Sequence, residues 1–133
     1  MSTLRGRKIT ETGIDESMST ANTGGDQFSN SGVEFVKIKN SHASDDYKVT
    51  FTPATTAIKT ALHGSSTKSN TVVTVTNGTV AYAGPFKQNV WNNSSNKVSM
   101  TYGHAAGSGS SEDVAIGSGS HLLKVEVLFL DPK

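Results

Sequence analysis

The sequence predicts an all-β protein: an antiparallel β-sandwich, immunoglobulin-like or jelly-roll-like, of roughly six to eight strands with an extended N-terminal arm. Three observations predict it. Ser and Thr make up about a quarter of the chain, and Asn and Gly are plentiful, a composition that competes with helical backbone and suits strands and turns. Several segments alternate apolar and polar residues with a period of two. Turn residues recur at intervals of about ten residues.

The chain has 133 residues, which fits one domain able to bury roughly two-thirds of its unfolded surface. It contains no cysteine, so no disulfide braces it, and the composition fits a reducing compartment. The first ten residues carry charge and no apolar run, so no signal peptide is expected, and no later run approaches the length of a membrane helix. The net charge of +1 comes from 12 basic and 11 acidic residues, which argues against a general nucleic-acid binder.

Residues 1–27 have no apolar periodicity and read as an extended arm. Leu4, Ile9, Ile14 and Met18 are isolated apolar residues there, and Arg5, Arg7 and Lys8 form its only basic cluster. A polar terminus is ordered only where something holds it. The expectation is that Leu4, Arg5, Arg7, Lys8, Ile9 and Ile14 lie on a neighbouring subunit or partner. The sandwich then spans 28–133. Phe28 to Lys39 reads as a turn followed by a strand, with Val33 and Phe35 on one parity and Val36 and Ile38 on the other. Tyr47 to Thr52 alternates, with Tyr47, Val49 and Phe51 inward, and Pro53 ends it. Ala54 to Ser69 reads equally as a short helix ending at Gly64 or as an irregular loop.

The organising stretch runs from Asn70 to Tyr102. Asn77-Gly78 between β-branched runs predicts a two-residue type I′ hairpin. In that pairing Val73, Val75, Val80 and Tyr82 share an apolar face, and Val72, Thr74, Ala81 and Ala83 share the lighter one. Gly84-Pro85 predicts a second turn, Val90-Trp91 a short apolar segment, and Lys97 to Tyr102 a strand with Val98, Met100 and Tyr102 inward. Residues 103–120 are rich in Gly and Ser and read as two flexible loops around a short strand over Asp113–Ile116. His121 to Leu130 is the most apolar strand. Leu123, Val125, Val127 and Phe129 form its core face, and Leu122, Leu128 and Leu130 stand opposite beside Lys124 and Glu126. A strand apolar on both faces is covered on both. Either the long loops or a second subunit covers Leu122, Leu128 and Leu130.

Little chemistry is visible. His42, His63, His104 and His121 lack metal-ligand spacing. Asp45-Asp46 and Glu112-Asp113 are adjacent acids of the kind that hold calcium, though such pairs are common in polar turns. The acids all read as turn or polar-face residues, so no strongly perturbed carboxylate is expected. No nucleophile elbow or phosphate-binding loop is present. Trp91, Tyr82 and Tyr102 read either as core aromatics or as a platform for stacking sugars. The expectation is a protein without catalytic residues, metal or cofactor.

Three blocks carry a resemblance. GGDQFSNSGVEFVKIKN (24–40), SNTVVTVTNGTVAYAGPFKQNVWNN (69–93) and KVSMTY (97–102) follow one another in the order and spacing of a family of small tailed-phage virion proteins, which this chain resembles from Gly24 to Tyr102. The second block departs from the family pattern at Ser69-Asn70, where an acid is frequent. The resemblance implies a β-sandwich of the phage head, a capsid decoration (cement) protein on the shell exterior, made in the host cytoplasm. It implies the major capsid protein and further copies of the chain, as a homotrimer, for partners. The alternative from a different class is a carbohydrate-binding or host-adsorption domain of the virion.

Overall fold

A computed structural model of the chain describes residues 2–22, 24–42, 46–54, 57–60, 64–67, 69–104 and 123–130, with 57–60 and 64–67 described as backbone. The strands are β1 (Ser2–Leu4), β2 (Arg7–Lys8), β3 (Ser19–Thr20), β4 (Asp26–Ser29), β5 (Glu34–Asn40), β6 (Tyr47–Thr52), β7 (Ala57–Thr60), β8 (Gly64–Thr67), β9 (Thr71–Val75), β10 (Val80–Ala83), β11 (Lys97–His104) and β12 (Leu123–Phe129). One helical turn, α1 (Gln88–Trp91), precedes β11.

Two five-stranded sheets face each other. The first runs β1-β4-β11-β6-β9; the second runs β10-β5-β12-β2, with β3 also on β12. The core between them follows the alternation read from the sequence. Tyr47, Val49 and Phe51 on β6 and Val98, Met100 and Tyr102 on β11 are buried from the first sheet. Val36 and Ile38 on β5, and Leu123, Val125 and Val127 on β12, meet them from the second. Phe86 completes the centre, with its ring 4.8 Å from that of Phe51, 5.8 Å from Phe28 and 5.4 Å from Trp91.

The sandwich is mixed rather than antiparallel throughout, and it has more strands than expected. The extra strands come from the N-terminal residues. β1 lies parallel to β4, with Leu4 opposite Phe28. β2 lies parallel to β12, with Arg7 opposite Leu128. β3 pairs antiparallel with β12 through Ser19 and Thr20. Residues 2–22 therefore run extended, as expected, but along the edges of both sheets of their own chain.

The turn at Asn77-Gly78 corrects the expected hairpin. β9 pairs with β6 in the first sheet, and β10 pairs with β5 in the second. The turn carries the chain across the sandwich instead of folding a strand back on its neighbour. Thr79 N–H donates to Thr76 O at 3.1 Å, and only Gly78 has positive φ, the pattern of a type II turn rather than type I′. The crossing also inverts the faces. Val73 and Val75 point inward as expected, whereas on β10 Ala81 and Ala83 pack against the core and Val80 and Tyr82 face out.

The stretch read as a helix or a loop over 54–69 contains a hairpin, β7 with β8, in register Ala57↔Thr67 to Thr60↔Gly64. Val90 and Trp91 are the buried residues of α1. The strand expected over 113–116, and the glycine-rich residues around it, lie outside the described residues.

Candidate functional site

The residues expected to grip a neighbour form a strap across the second sheet of their own chain. After β2, Ile9 N–H donates to Phe129 O at 2.8 Å, and the chain turns at Thr10–Gly13, closed by Gly13 N–H to Thr10 O at 2.9 Å. It then passes over the outer face of the sheet. Ser17 N–H donates to Glu126 Oε1 at 3.3 Å, and Ala21 N–H closes on Leu123 O at 3.0 Å. Glu16 accepts hydrogen bonds from Lys37 Nζ at 2.7 Å and Lys39 Nζ at 3.4 Å. Those ammonium groups, Lys37 foremost, hold the exposed Glu16 carboxyl below its ordinary range; Glu16 in turn holds Lys37 above its own.

The strap solves the problem posed by the doubly apolar last strand. Leu128 is buried, and with Ile9 and Ile14 it lines a hollow of about 360 Å³ between strap and sheet. Leu130 stays 56% exposed at the end of the strand, and Leu122 lies outside the described residues. Leu4 is half-buried against the core, while Arg5 and Lys8 are exposed. A second hollow of about 450 Å³ opens between β2 and β3, lined by Thr3, Arg5, Arg7, Ser17, Ser19 and Glu126 among others.

At the centre of the strap sits an ion pair that the sequence does not announce. Glu126 is 4% exposed, and its carboxylate accepts a hydrogen bond from Arg7 Nη1, which also donates to Asp15 O at 2.7 Å. Two other acids among the described residues are buried against expectation. Asp26 Oδ2 accepts from Tyr102 Oη at 2.6 Å and from Asn22 N–H at 3.1 Å. Burial, then the hydrogen bond to Asp26 and the charge of that carboxylate, pushes the Tyr102 phenol far above its ordinary value. Glu34 accepts from Ser31 N–H at 2.7 Å and from Ser31 Oγ, closing the turn before β5. One signal is available for Glu126: an acid inside HLLKVEVLFL needs a partner, and arginines near the N-terminus can supply one.

The blocks that carry the family resemblance hold the scaffold's polar joints. Asn30 Nδ2 donates to Phe86 O at 2.9 Å and to Asn92 Oδ1 at 2.7 Å, and Asn92 Nδ2 returns to Asn30 O at 2.9 Å. Asn40 on β5 donates to Val75 O on β9 at 2.9 Å and so ties the two sheets together. Asn77 donates its backbone and side-chain N–H groups to Asp46 Oδ1 at 2.8 and 2.9 Å. Gly84 has φ +119°, and a Cβ there would stand 3.0 Å from Phe35 Cα, so only glycine fits before Pro85.

Other candidates are placed as follows. His42 and His104 flank the Tyr47 ring, at centroid distances of 6.0 and 5.0 Å. His63, His121, Asp45 and the Glu112-Asp113 pair lie outside the described residues. Among the described residues no group of three or more potential metal ligands comes together. Trp91 is 8% exposed and Tyr102 is buried, which is the core reading of these two, and the alternative sugar platform is not assembled; Tyr82 alone of the three faces solvent. Comparison against protein-family models, curated proteins and solved structures found no match to this chain.

Proposed function

We propose that the chain is a structural protein of a tailed-phage head, a decoration protein that binds the outside of the shell and stabilises it against internal DNA pressure. The observation that carries the reading is the ordered set of blocks over Gly24–Tyr102 resembling such proteins, together with the use made of those residues. Asp26, Asn30, Asn40, Gly84 and Asn92 each fix a turn or join two segments of the sandwich. A shared pattern made of such joints describes a common scaffold rather than a common reaction.

The mechanism is mechanical. A rigid sandwich seated across a junction of major capsid proteins resists their separation through buried apolar area, worth roughly 25 cal/mol per Å² before binding costs. Repetition over the shell multiplies weak contacts by avidity. The protein acts as a passive clamp, without catalysis, cofactor or direct contact with nucleic acid, and further copies of the chain complete the clamp as a trimer once seated on the shell. Because the apolar residues of the strap pack on their own sheet, the contacts with the shell fall to outward groups, Arg5 and Lys8 among them.

The test is to purify mature virions that encode the chain and to quantify it by mass spectrometry and surface immunolabelling. Many copies per particle on the head exterior, and heads that lose heat tolerance when the chain is removed, are the expected results. Absence from mature virions, or confinement to a single vertex or the tail, would end the decoration reading.

A further inference from the structure

The two sides of the sandwich are built differently. On one side the N-terminal residues close the sheets, with Arg5, Arg7 and Lys8 placed at or beside the outermost strands. On the other, β9 (TVVTV) and β10 (VAYA) are the outermost strands among the described residues, and neither contains a charge or a proline. Charges, prolines and bulges are the usual means of blunting a sheet edge against further pairing. Beside β10 the apolar exposure is large: Val80 is 42% and Tyr82 62% accessible, with Phe35 against the Tyr82 ring at 6.4 Å.

The backbone of β10 is oriented for a partner. Asn40 N–H donates to Thr79 O at 3.0 Å, so Thr79 faces β5. Alternation along an antiparallel strand then turns the polar groups of Ala81 toward β5 and those of Val80 and Tyr82 toward the open edge. The same two residues whose side chains lie exposed on the outer face also offer their N–H and C=O groups at the edge.

We propose that this edge pairs with β10 of a second copy, antiparallel and about a two-fold axis at Ala81. A two-fold axis normal to the sheet keeps outer faces together, so Val80 must oppose Tyr82 of the copy, and Ala81 must oppose its own equivalent. This register makes Val80–Tyr82 a hydrogen-bonded pair on each side of the axis, which uses the outward backbone groups of both residues. It also stacks an aromatic on a β-branched side chain twice on the outer face, a favourable cross-strand pair. Charge favours a copy over a charged partner. The nearest cations, Lys37 and Lys39 on β5, already share Glu16 of the same chain, and in the paired sheet they stay a full strand back from the contact. A copy therefore meets no charge in the strand it pairs with, and an acidic partner finds no cation there. The open edge of β9 runs along the same side and enlarges the contact. Two short strands still fall below the roughly 800 Å² per partner of a stable interface, so the dimer is concentration-dependent. The pairing does not rest on the virion reading; it follows from the edge alone.

The absence of cysteine gives a clean background for the test. Single variants Ala81→Cys, Val80→Cys and Tyr82→Cys are oxidised mildly at increasing protein concentration, with circular dichroism and Trp91 emission confirming the fold of each. Directly opposed non-hydrogen-bonded residues lie within disulfide reach, whereas Val80 and Tyr82 are each offset from their own equivalents by a diagonal of roughly 7–8 Å. The expected result is that Ala81→Cys forms covalent dimer at least tenfold faster than either neighbour. The weight-average mass of the unmodified chain is expected to rise with concentration and to stay monomeric in Val80→Lys/Tyr82→Lys. Equal or slower cross-linking at position 81 would overturn the register. A mass unchanged by the double lysine variant would overturn the pairing, including the case in which that variant loses binding to another protein instead.

Discussion

Tyr102 and Asp26 make the most exacting polar contact in the core. The phenol donates to a carboxylate that has one other donor among the described residues, the Asn22 N–H, and both side chains are buried. Tyr102→Phe keeps the ring and removes the donor, so it is expected to destabilise the fold by about 1–3 kcal/mol in denaturant titration. The pH dependence carries a sign. The folded phenol titrates above its unfolded value near 10, so between those values the native state holds one more proton than the unfolded state. Stability is then complete below about pH 10 and falls as pH rises, by up to about 1.4 kcal/mol per unit. The difference between wild type and Tyr102→Phe isolates that slope from other titrations, and parallel curves above pH 10 would refute the assignment. The two glycines of the organising stretch differ in the same local way. Gly78 has φ +71° and nothing within 4 Å of where a Cβ would stand, so Gly78→Ala is expected to lose only the conformational term, about 1 kcal/mol. Gly84→Ala adds a collision with Phe35 Cα and Glu34 O, at 3.0 and 3.1 Å, and is expected to cost at least twice as much in the same titration.

At the scale of elements, the strap and β12 depend on each other. β12 is central in its sheet, with β5 on one edge and β2 and β3 on the other, and the strap also covers its outer face. Removing the arginine should expose that dependence. Arg7→Ala leaves the Glu126 carboxylate buried with Ser17 N–H as its remaining donor among the described residues, and is expected to destabilise the chain by about 2–4 kcal/mol by thermal or chemical unfolding. Glu126→Leu on top of Arg7→Ala is expected to recover part of that loss, since an apolar residue needs no counter-charge. If the double variant is no more stable than Arg7→Ala, the ion pair does not act as a unit. This element also marks where the sequence is legible. Tyr47–Thr52 and Lys97–Tyr102 can be read because each strand buries one face, which leaves a clean period of two. The period identifies strands but not partners. Asn77-Gly78 has the same flanks whether it folds a hairpin or crosses between sheets, so β9 and β10 are recognisable as strands while their pairing is not. The strap is invisible for a related reason: its strands are two or three residues long and pair with β4 and β12, from which they are separated by up to the whole chain. Ile9, Ile14 and Leu128 read as apolar groups in need of cover, but nothing local says that they cover one another.

On the scale of the whole molecule, the two sheets are linked at several points besides their shared core. Residues 2–22 edge the first sheet through β1 and the second through β2 and β3. Asn40 bridges β5 to β9. Phe86 carries contacts from β4, β6 and α1 into one aromatic cluster. Within the two five-stranded sheets, no described strand can open alone without exposing core surface. Unfolding is therefore expected to be a single cooperative transition. Trp91 reports on the α1 side of the cluster through its emission, and far-ultraviolet circular dichroism reports on both sheets. The two should give one midpoint in urea, with a blue-shifted Trp91 emission that moves red only as strand signal is lost. Deleting residues 2–22 tests whether the strap belongs to that unit. It uncovers Leu128, Glu126 and one edge of β12, so the midpoint should fall, while Trp91, on the α1 side of a cluster that the strap borders through β1 beside Phe28, should keep its blue-shifted emission if any native state remains. A truncated chain with an unchanged midpoint would mean that the strap merely rests on the sandwich, and its apolar residues would again be available to a neighbour.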